Sequence, residues 1–483
     1  MRTGNFHKWL LLTLLLSCHL LLLAQPHITD TTLLQLEKFS DSVQKSSGAS
    51  YSFVVGKIVV EGNKKTKPYI IERELPFKSG DSINLPDLVK GFEVARQQLM
   101  NTALFNDVVV ALKSFRGYTV DILIDVKERW YIFPLPYIKP VDRNLQEWVK
   151  QDLSLTRLNY GFKFNYNNFT GRNDKLKFWL ITGYTQQIQF QYEQPYADKT
   201  LKHGYKIGFS YSYNKEVNFA TVNNAQAFSD SFGGIKRWYA NVDYTYRPGL
   251  RTFHGARLAL AAQEVDSQVI AANPKYFLNN NRKILYPELS YTLTYVKVDY
   301  VPYPLTGWMG DVGFLKRGFN KDMNLWQFNG RVLKSWELSK KTYFLGQAQG
   351  ILRLPFKQPY INQRMFGYND LYLRGLEKYV IDGVAGFMLR STLRRELVRF
   401  NIPTYLKSRS HNVIPFRIYA KTFADMGYSH NPMNPENSLT NRMLYSTGFG
   451  IDAVTFYDFV LRFDYSFNQL GQNGLFLHIK GDF

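Results

Sequence analysis

The chain has 483 residues, 45% of them hydrophobic and 16% aromatic, with Tyr (33) and Phe (36) supplying the aromatic excess. A mean hydropathy of −0.28 excludes a bundle of membrane helices but not a β-barrel, whose lumen-facing residues are polar. The formal net charge of +21 is spread along the chain without the basic block used against nucleic acid, so no nucleic-acid partner is expected. A polar lumen and loops meeting anionic lipid headgroups account for it better.

The first predicted element is a signal peptide, residues 1–24. Arg2 and Lys8 precede an almost unbroken apolar run from Trp9 to Leu23, and Ala24 offers a small-residue cleavage point. The run is short for a single-span anchor, which needs about 20 apolar residues. Cys18 is the only cysteine, and Leu15-Leu16-Ser17-Cys18 loosely matches a lipidation box. The Leu-rich stretch after Cys18 argues against lipidation, since a lipidated cysteine precedes a polar tether. Cleavage after Ala24 leaves a cysteine-free chain, without disulfides or thiol chemistry.

Residues 25–50 are a polar, Ser-rich tether. A compact unit follows over residues 51–130. It opens with a strand, Phe53 to Val60, and a turn at Gly62-Asn63. Thr66 is the expected cap of a helix through Tyr69 to about Leu75, with Pro68 in the first turn. Asn84 and Pro86 open a second helix, whose Leu88, Phe92, Ala95 and Leu99 share one face. Two strands close the unit, Val108 to Leu112 and Val120 to Val126. The order is β-α-α-β-β.

From residue 134 to 483 the period becomes two. Leu158, Tyr160, Phe162, Phe164 and Tyr166 alternate with Asn159, Gly161, Lys163 and Asn165. Similar runs recur to the C-terminus, where Leu475, Leu477, Ile479 and Phe483 share one face. Each run has an apolar and a polar face, and Tyr recurs near the ends, as interface girdles require. Long strands, export and a last strand flush with the C-terminus disfavour a soluble sandwich or propeller. The expected fold is mainly β: a transmembrane antiparallel barrel of sixteen strands behind one α+β domain. Closing it pairs the last strand with one near Leu158 to Tyr166 or slightly earlier.

Several motifs carry a family resemblance. Val60-Glu61-Gly62-Asn63-Lys64-Lys65-Thr66, Arg73-Glu74-Leu75, Gly80-Asp81, Leu99 to Phe105 and Val126-Lys127-Glu128-Arg129 resemble a POTRA domain. The remainder resembles the bacterial surface antigen superfamily, which holds assembly factors of BamA and TamA type and two-partner-secretion transporters. Asn168 to Asn173 looks like its first hairpin turn, and Tyr303-Pro304-Leu305-Thr306-Gly307 like its mid-barrel turn. Leu373-Arg374-Gly375-Leu376 is similar to its loop motif, and Phe423-Ala424-Asp425-Met426-Gly427 to its Phe-x-Asp-x-Gly strand. Phe483 is similar to its C-terminal targeting signal.

The resemblance implies that the loop tucks into the lumen and that Arg374 meets Asp425 there. A buried guanidinium needs a carboxylate partner, and its planar fork suits one. Departures are Leu376 in place of an aromatic, and Thr392-Leu393-Arg394, with Glu396 nearby, in place of Glu-x-Arg. A single POTRA-like unit points to an accessory factor rather than the central assembly machine.

The resemblance further implies an outer-membrane protein with its soluble domain in the periplasm. Its partners would be unfolded outer-membrane or secreted clients, membrane lipid and lipopolysaccharide, and accessory lipoproteins. Client strands would add to the barrel seam, or to Val120–Val126 if that strand lies at a sheet edge. A passive pore and a lipid-handling barrel are the alternatives. The sequence contains no nucleophile elbow, zincin or nucleotide-binding motif, and its eight His lack metal-ligand spacing. No enzyme activity, metal or other cofactor is expected.

Overall fold

The computed structural model describes residues 52–140, 152, 154–229, 233–368, 371–405, 412–433, 437–455 and 457–479. The expected signal peptide with Cys18, the tether and terminal Phe483 lie outside these residues.

The N-terminal unit contains β1 (Ser52–Glu61), α1 (Pro68–Glu72), β2 (Ser82–Asn84), α2 (Leu85–Asn101), β3 (Phe105–Arg116) and β4 (Thr119–Glu128). The three-residue β2 adds to the expected order. The sheet runs β2-β1-β4-β3, with β1 parallel to β4 and the other pairs antiparallel. Leu88, Phe92, Ala95 and Leu99 of α2 are buried against Val120, Ile122, Ile124 and Val126 of β4. Each such large side chain contributes about 1.5–3 kcal/mol when fully buried. Asn84 stands at the α2 N-cap, but Lys67 rather than Thr66 occupies that of α1. Thr66 is buried and turned to other partners.

β4 lies between β1 and β3, both of its backbone edges paired. The expectation that Val120 to Val126 could capture a client strand is therefore wrong. Its four buried apolar residues made it a core strand, and core strands sit centrally. The sheet edges are β2 and β3.

Sixteen further strands form one sheet that begins at Ile132, two residues before the expected boundary. They start with β5 (Ile132–Pro140), β6 (Leu158–Asn167), β7 (Lys175–Gly183), β8 (Thr185–Gln194) and β9 (His203–Asn214). A small hairpin, β10 (Asn218–Val222) and β11 (Ala225–Phe228), interrupts them. Next come β12 (Ile235–Tyr246), β13 (Thr252–Val265), a short helix α3 (Ser267–Ala272), β14 (Lys283–Val298) and β15 (Gly307–Arg317). β16 (Leu325–Ser339) and β17 (Thr342–Leu354) precede a long loop holding α4 (Tyr360–Gln363), β18 (Arg364–Phe366) and β19 (Ile381–Asp382). The sheet ends with β20 (Ala385–Pro403), β21 (Val413–His430), β22 (Met443–Thr455), β23 (Val460–Asn468) and β24 (Asn473–Ile479). Each is antiparallel to its neighbours in the sheet, and β5 and β24 stand at its two ends.

Alternation along the strands produces a belt. Tyr160, Phe162, Ile207, Phe209, Leu258, Leu289, Phe463 and Leu477 all point outward and are exposed. A contiguous apolar surface of this extent needs lipid against it. Among the described residues no helix is long and apolar enough to cross a membrane.

Candidate functional site

The loop between β17 and β20 folds into the lumen. Leu373, Arg374, Gly375 and Leu376 are all buried. Arg374 donates from Nε to Asp425 Oδ2 on β21 at 2.9 Å, and its Nη2 pairs with Asp425 Oδ1. Its backbone N–H also reaches Asp425 Oδ2 at 3.2 Å, and Nη1 donates to Thr392 Oγ1 at 3.0 Å. The guanidinium lies 4.0 Å from the centre of the Phe423 ring. One side chain thus joins the loop to β21 by a bidentate ion pair and a cation–π contact, and to β20 through Thr392.

The glycines of both motifs make room for this. Gly375 has a φ of +83°, and a Cβ there would meet Ser466 Cβ at 3.0 Å. A Cβ at Gly427 would press on Leu373 Cδ2 at 3.1 Å. Leu373 and Leu376 pack with Met365, Phe366, Ile381, Met388, Leu439 and Leu444. Leu376 serves packing in this cluster.

Sequence reasoning missed the rest of the lumen network. Arg390 on β20 donates to the Tyr372 carbonyl and lies 3.6 Å from Asp425. Tyr372 stacks on His478 of β24 at 5.0 Å, and Glu377 pairs with His478 at 3.4 Å. Lys421 bridges Asp452 and Asp464, each at 2.6 Å. These partners lie far apart in sequence. Their only local signal is a charged residue at an inward position of an alternating strand. Leu475, Leu477 and Ile479 face outward on β24 and take no part in the lumen network.

The turn Tyr303-Pro304-Leu305 enters the lumen from the other end. Arg394 lies 4.2 Å from the Tyr303 ring centre, and Tyr303 Oη donates to Asp452 Oδ2 at 2.8 Å. Arg394, noted only as part of a departure from the family pattern, is among the largest fully buried side chains.

The N-terminal unit is fastened to the same end of the barrel. Asn168 donates to Thr66 Oγ1 at 2.9 Å, which joins the β6–β7 turn to the β1–α1 turn. Glu74 is 1% exposed and takes two hydrogen bonds from Arg247, at 2.5 and 2.8 Å, and one from Tyr196 at 3.0 Å. Burial, then the Glu74 charge, pushes the Tyr196 hydroxyl up to about 12. Arg129 grips Asp458 at 2.7 and 3.0 Å. Asn101 at the end of α2 accepts from Val301 N–H at 3.0 Å. Among the described residues no group of three or more His, Cys, Asp or Glu could hold a metal ion.

Residues 53–129 match the POTRA family, the surface antigen variable number repeat. This unit is a POTRA domain. CdiB from Escherichia coli is similar in structure at 12% identity and a TM-score of 0.51, over 95% of this chain and 88% of that one. BamA from Haemophilus ducreyi lacking POTRA domains 1–3 matches at 16% identity and a TM-score of 0.49, over 88% and 83%. No curated protein matches the sequence. The chain thus combines a POTRA domain with a sixteen-strand antiparallel barrel sheet that carries an exposed apolar belt.

Proposed function

We propose that the protein is a non-enzymatic factor that helps periplasmic polypeptides into or across the outer membrane. The observation that carries this reading is a POTRA domain fastened to the mouth of a barrel into which the Arg374 loop folds. The POTRA domain receives an unfolded client through an exposed sheet edge, β2 or β3, by backbone pairing. The barrel then offers a strand edge where the ends of its sheet meet. The Arg374–Asp425 pair holds the loop in place while this happens.

Reconstitution in liposomes tests the reading. The full mature chain should accelerate insertion of an unfolded outer-membrane barrel over empty liposomes. Steady conductance without insertion would replace the reading with a pore. Exchange of labelled lipid without insertion would replace it with lipid handling.

A further inference from the structure

Two histidines far apart in the sequence meet on the outer wall of the barrel. His203 opens β9, and His254 lies near the start of β13. Both stand directly opposite Tyr246, the last residue of β12. The three rings form one row. His203 stacks on Tyr246 at 5.0 Å, and Tyr246 lies 5.6 Å from His254. Each is an even number of positions from Ile207, Val242 or Leu258, which are exposed on the apolar belt, with the single parity exception of none, so the row faces outward. It lies at the POTRA end, because the residue after Tyr246 is the Arg247 that Glu74 holds.

One step further into the belt, Ala256 stands between Tyr244 of β12 and Tyr291 of β14, its cross-strand partners. A methyl group between two exposed phenols leaves a notch of about 350 Å³, lined by His203, Tyr244, Tyr246, His254, Ala256 and Tyr291. The two hydroxyls turn back to the row. Tyr244 Oη lies 2.6 Å from His203 Nδ1, and Tyr291 Oη lies 2.7 Å from His254 Nδ1. A phenol that donates to Nδ1 leaves the ring proton on Nε2, on the other side of the imidazole. Each tyrosine thus fixes a ring whose second nitrogen is a donor. Lys202, exposed beside His203, and Arg251, in the turn before His254, add positive charge at this rim.

We propose that this notch holds one glycerophospholipid from the leaflet at the POTRA end of the barrel. An acyl chain lies over Ala256 between the two phenol rings. The phosphate accepts from Nε2–H of His254, which shares β13 with Ala256, and His203 donates to a second headgroup oxygen. The imidazoles are two strand spacings apart, roughly 9–10 Å. That is too wide for a shared metal ion, whose ligands converge to about 2 Å. It suits a phosphate at one ring and a glycerol or ester oxygen at the other. An ordinary girdle of Tyr and Trp seats rings at the interface without selecting a lipid. Here the tethered imidazoles beside an apolar notch supply the selection. The proposal rests on the belt facing lipid and does not require client insertion.

Native mass spectrometry tests it. The full mature chain, purified in a neutral detergent, is mixed with dioleoyl phosphatidylglycerol, and the retained lipid is counted. One lipid should stay on the unaltered protein and on His430→Ala, which removes a histidine at the far end of β21. His203→Ala with His254→Ala should weaken retention at least about tenfold, as loss of hydrogen bonds to a charged group does. Ala256→Trp, which fills the notch and leaves both imidazoles, should do the same. Should Ala256→Trp fail to fold, the histidine pair decides alone. Equal retention by every folded variant marks ordinary boundary lipid and overturns the proposal. Dioleoylglycerol held as tightly as the phospholipid overturns the role given to the imidazoles. Inorganic phosphate that displaces the lipid at equal concentration makes this an anion site and overturns the acyl-chain half. No client enters the assay, so a failure here leaves the insertion reading standing.

Discussion

The POTRA core and the barrel lumen are held together by different means. In the POTRA domain, α2 lays hydrocarbon on β4, and Phe92, Leu99, Ile122 and Ile124 are each at most 2% exposed. In the lumen, a hydrocarbon cluster around Leu373 and Leu376 stands beside fully enclosed charges: Asp425, Lys421, Asp452 and Arg394. Hydrocarbon packing is non-directional and tolerates substitution of similar volume. Buried ion pairs hold only in one geometry, and removing one partner strands the other. The POTRA core therefore tolerates change of similar volume, whereas the charged network holds the lumen loop in one geometry.

Arg374→Ala gives the largest expected effect on that comparison. It leaves Asp425 facing Arg390 alone and should cost about 3–5 kcal/mol of loop attachment, as for any broken buried pair. Client insertion should be lost and open-channel conductance should appear, while the barrel stays folded. Asp425→Ala should do the same. Unchanged insertion in both variants would sink the locking role. Phe92→Ala attacks the POTRA core. It should destabilise the POTRA domain by about 3–5 kcal/mol, read by proteolysis of residues 52–129. Conductance should not change, because the contacts of the lumen loop do not depend on this core.

Glu74→Gln is smaller and tests the joint between the two regions. It keeps the shape but removes the charge that Arg247 faces, at a cost of about 1–3 kcal/mol. The POTRA domain should detach from the barrel mouth more often without unfolding. Faster cleavage near Arg129, with an unchanged POTRA melting transition, is the expected readout. A lowered melting transition would mean that Glu74 serves the domain's own fold instead.

The contrast also explains what the sequence made legible. The face Leu88, Phe92, Ala95 and Leu99 could be read because it repeats at helical spacing, and the strands because they alternate. The position of β4 could not, since order within a sheet depends on which strands meet, not on any one strand's pattern. Arg374 and Asp425 stood out only through a family resemblance. Nothing local distinguishes Asp425 from a surface turn residue. Glu74 and Arg247 lie still further from local inference, because their pairing exists only once POTRA domain and barrel meet.

The smallest effect concerns a charge inside the POTRA domain, where the hydrocarbon account predicts no pH dependence at all. Asp121 sits at the irregularity in β1, where a Cβ at Gly56 would lie 2.4 Å from its Oδ1. It accepts from Lys57 N–H at 2.8 Å, Ser114 Oγ at 2.9 Å and Arg116. The amide of Lys57, then the Ser114 hydroxyl, hold its carboxyl below the usual range. The folded domain therefore binds fewer protons than the unfolded chain as pH falls below the ordinary Asp value of about 3.9. The stability from Asp121 is present above that value and is lost as pH drops through the lower, folded one. Acid unfolding of the POTRA domain should flatten in Asp121→Asn, whose amide does not titrate. If both proteins lose POTRA protection along the same pH curve, the acid sensitivity lies elsewhere, and the domain's own fold is as purely hydrocarbon-held as its core.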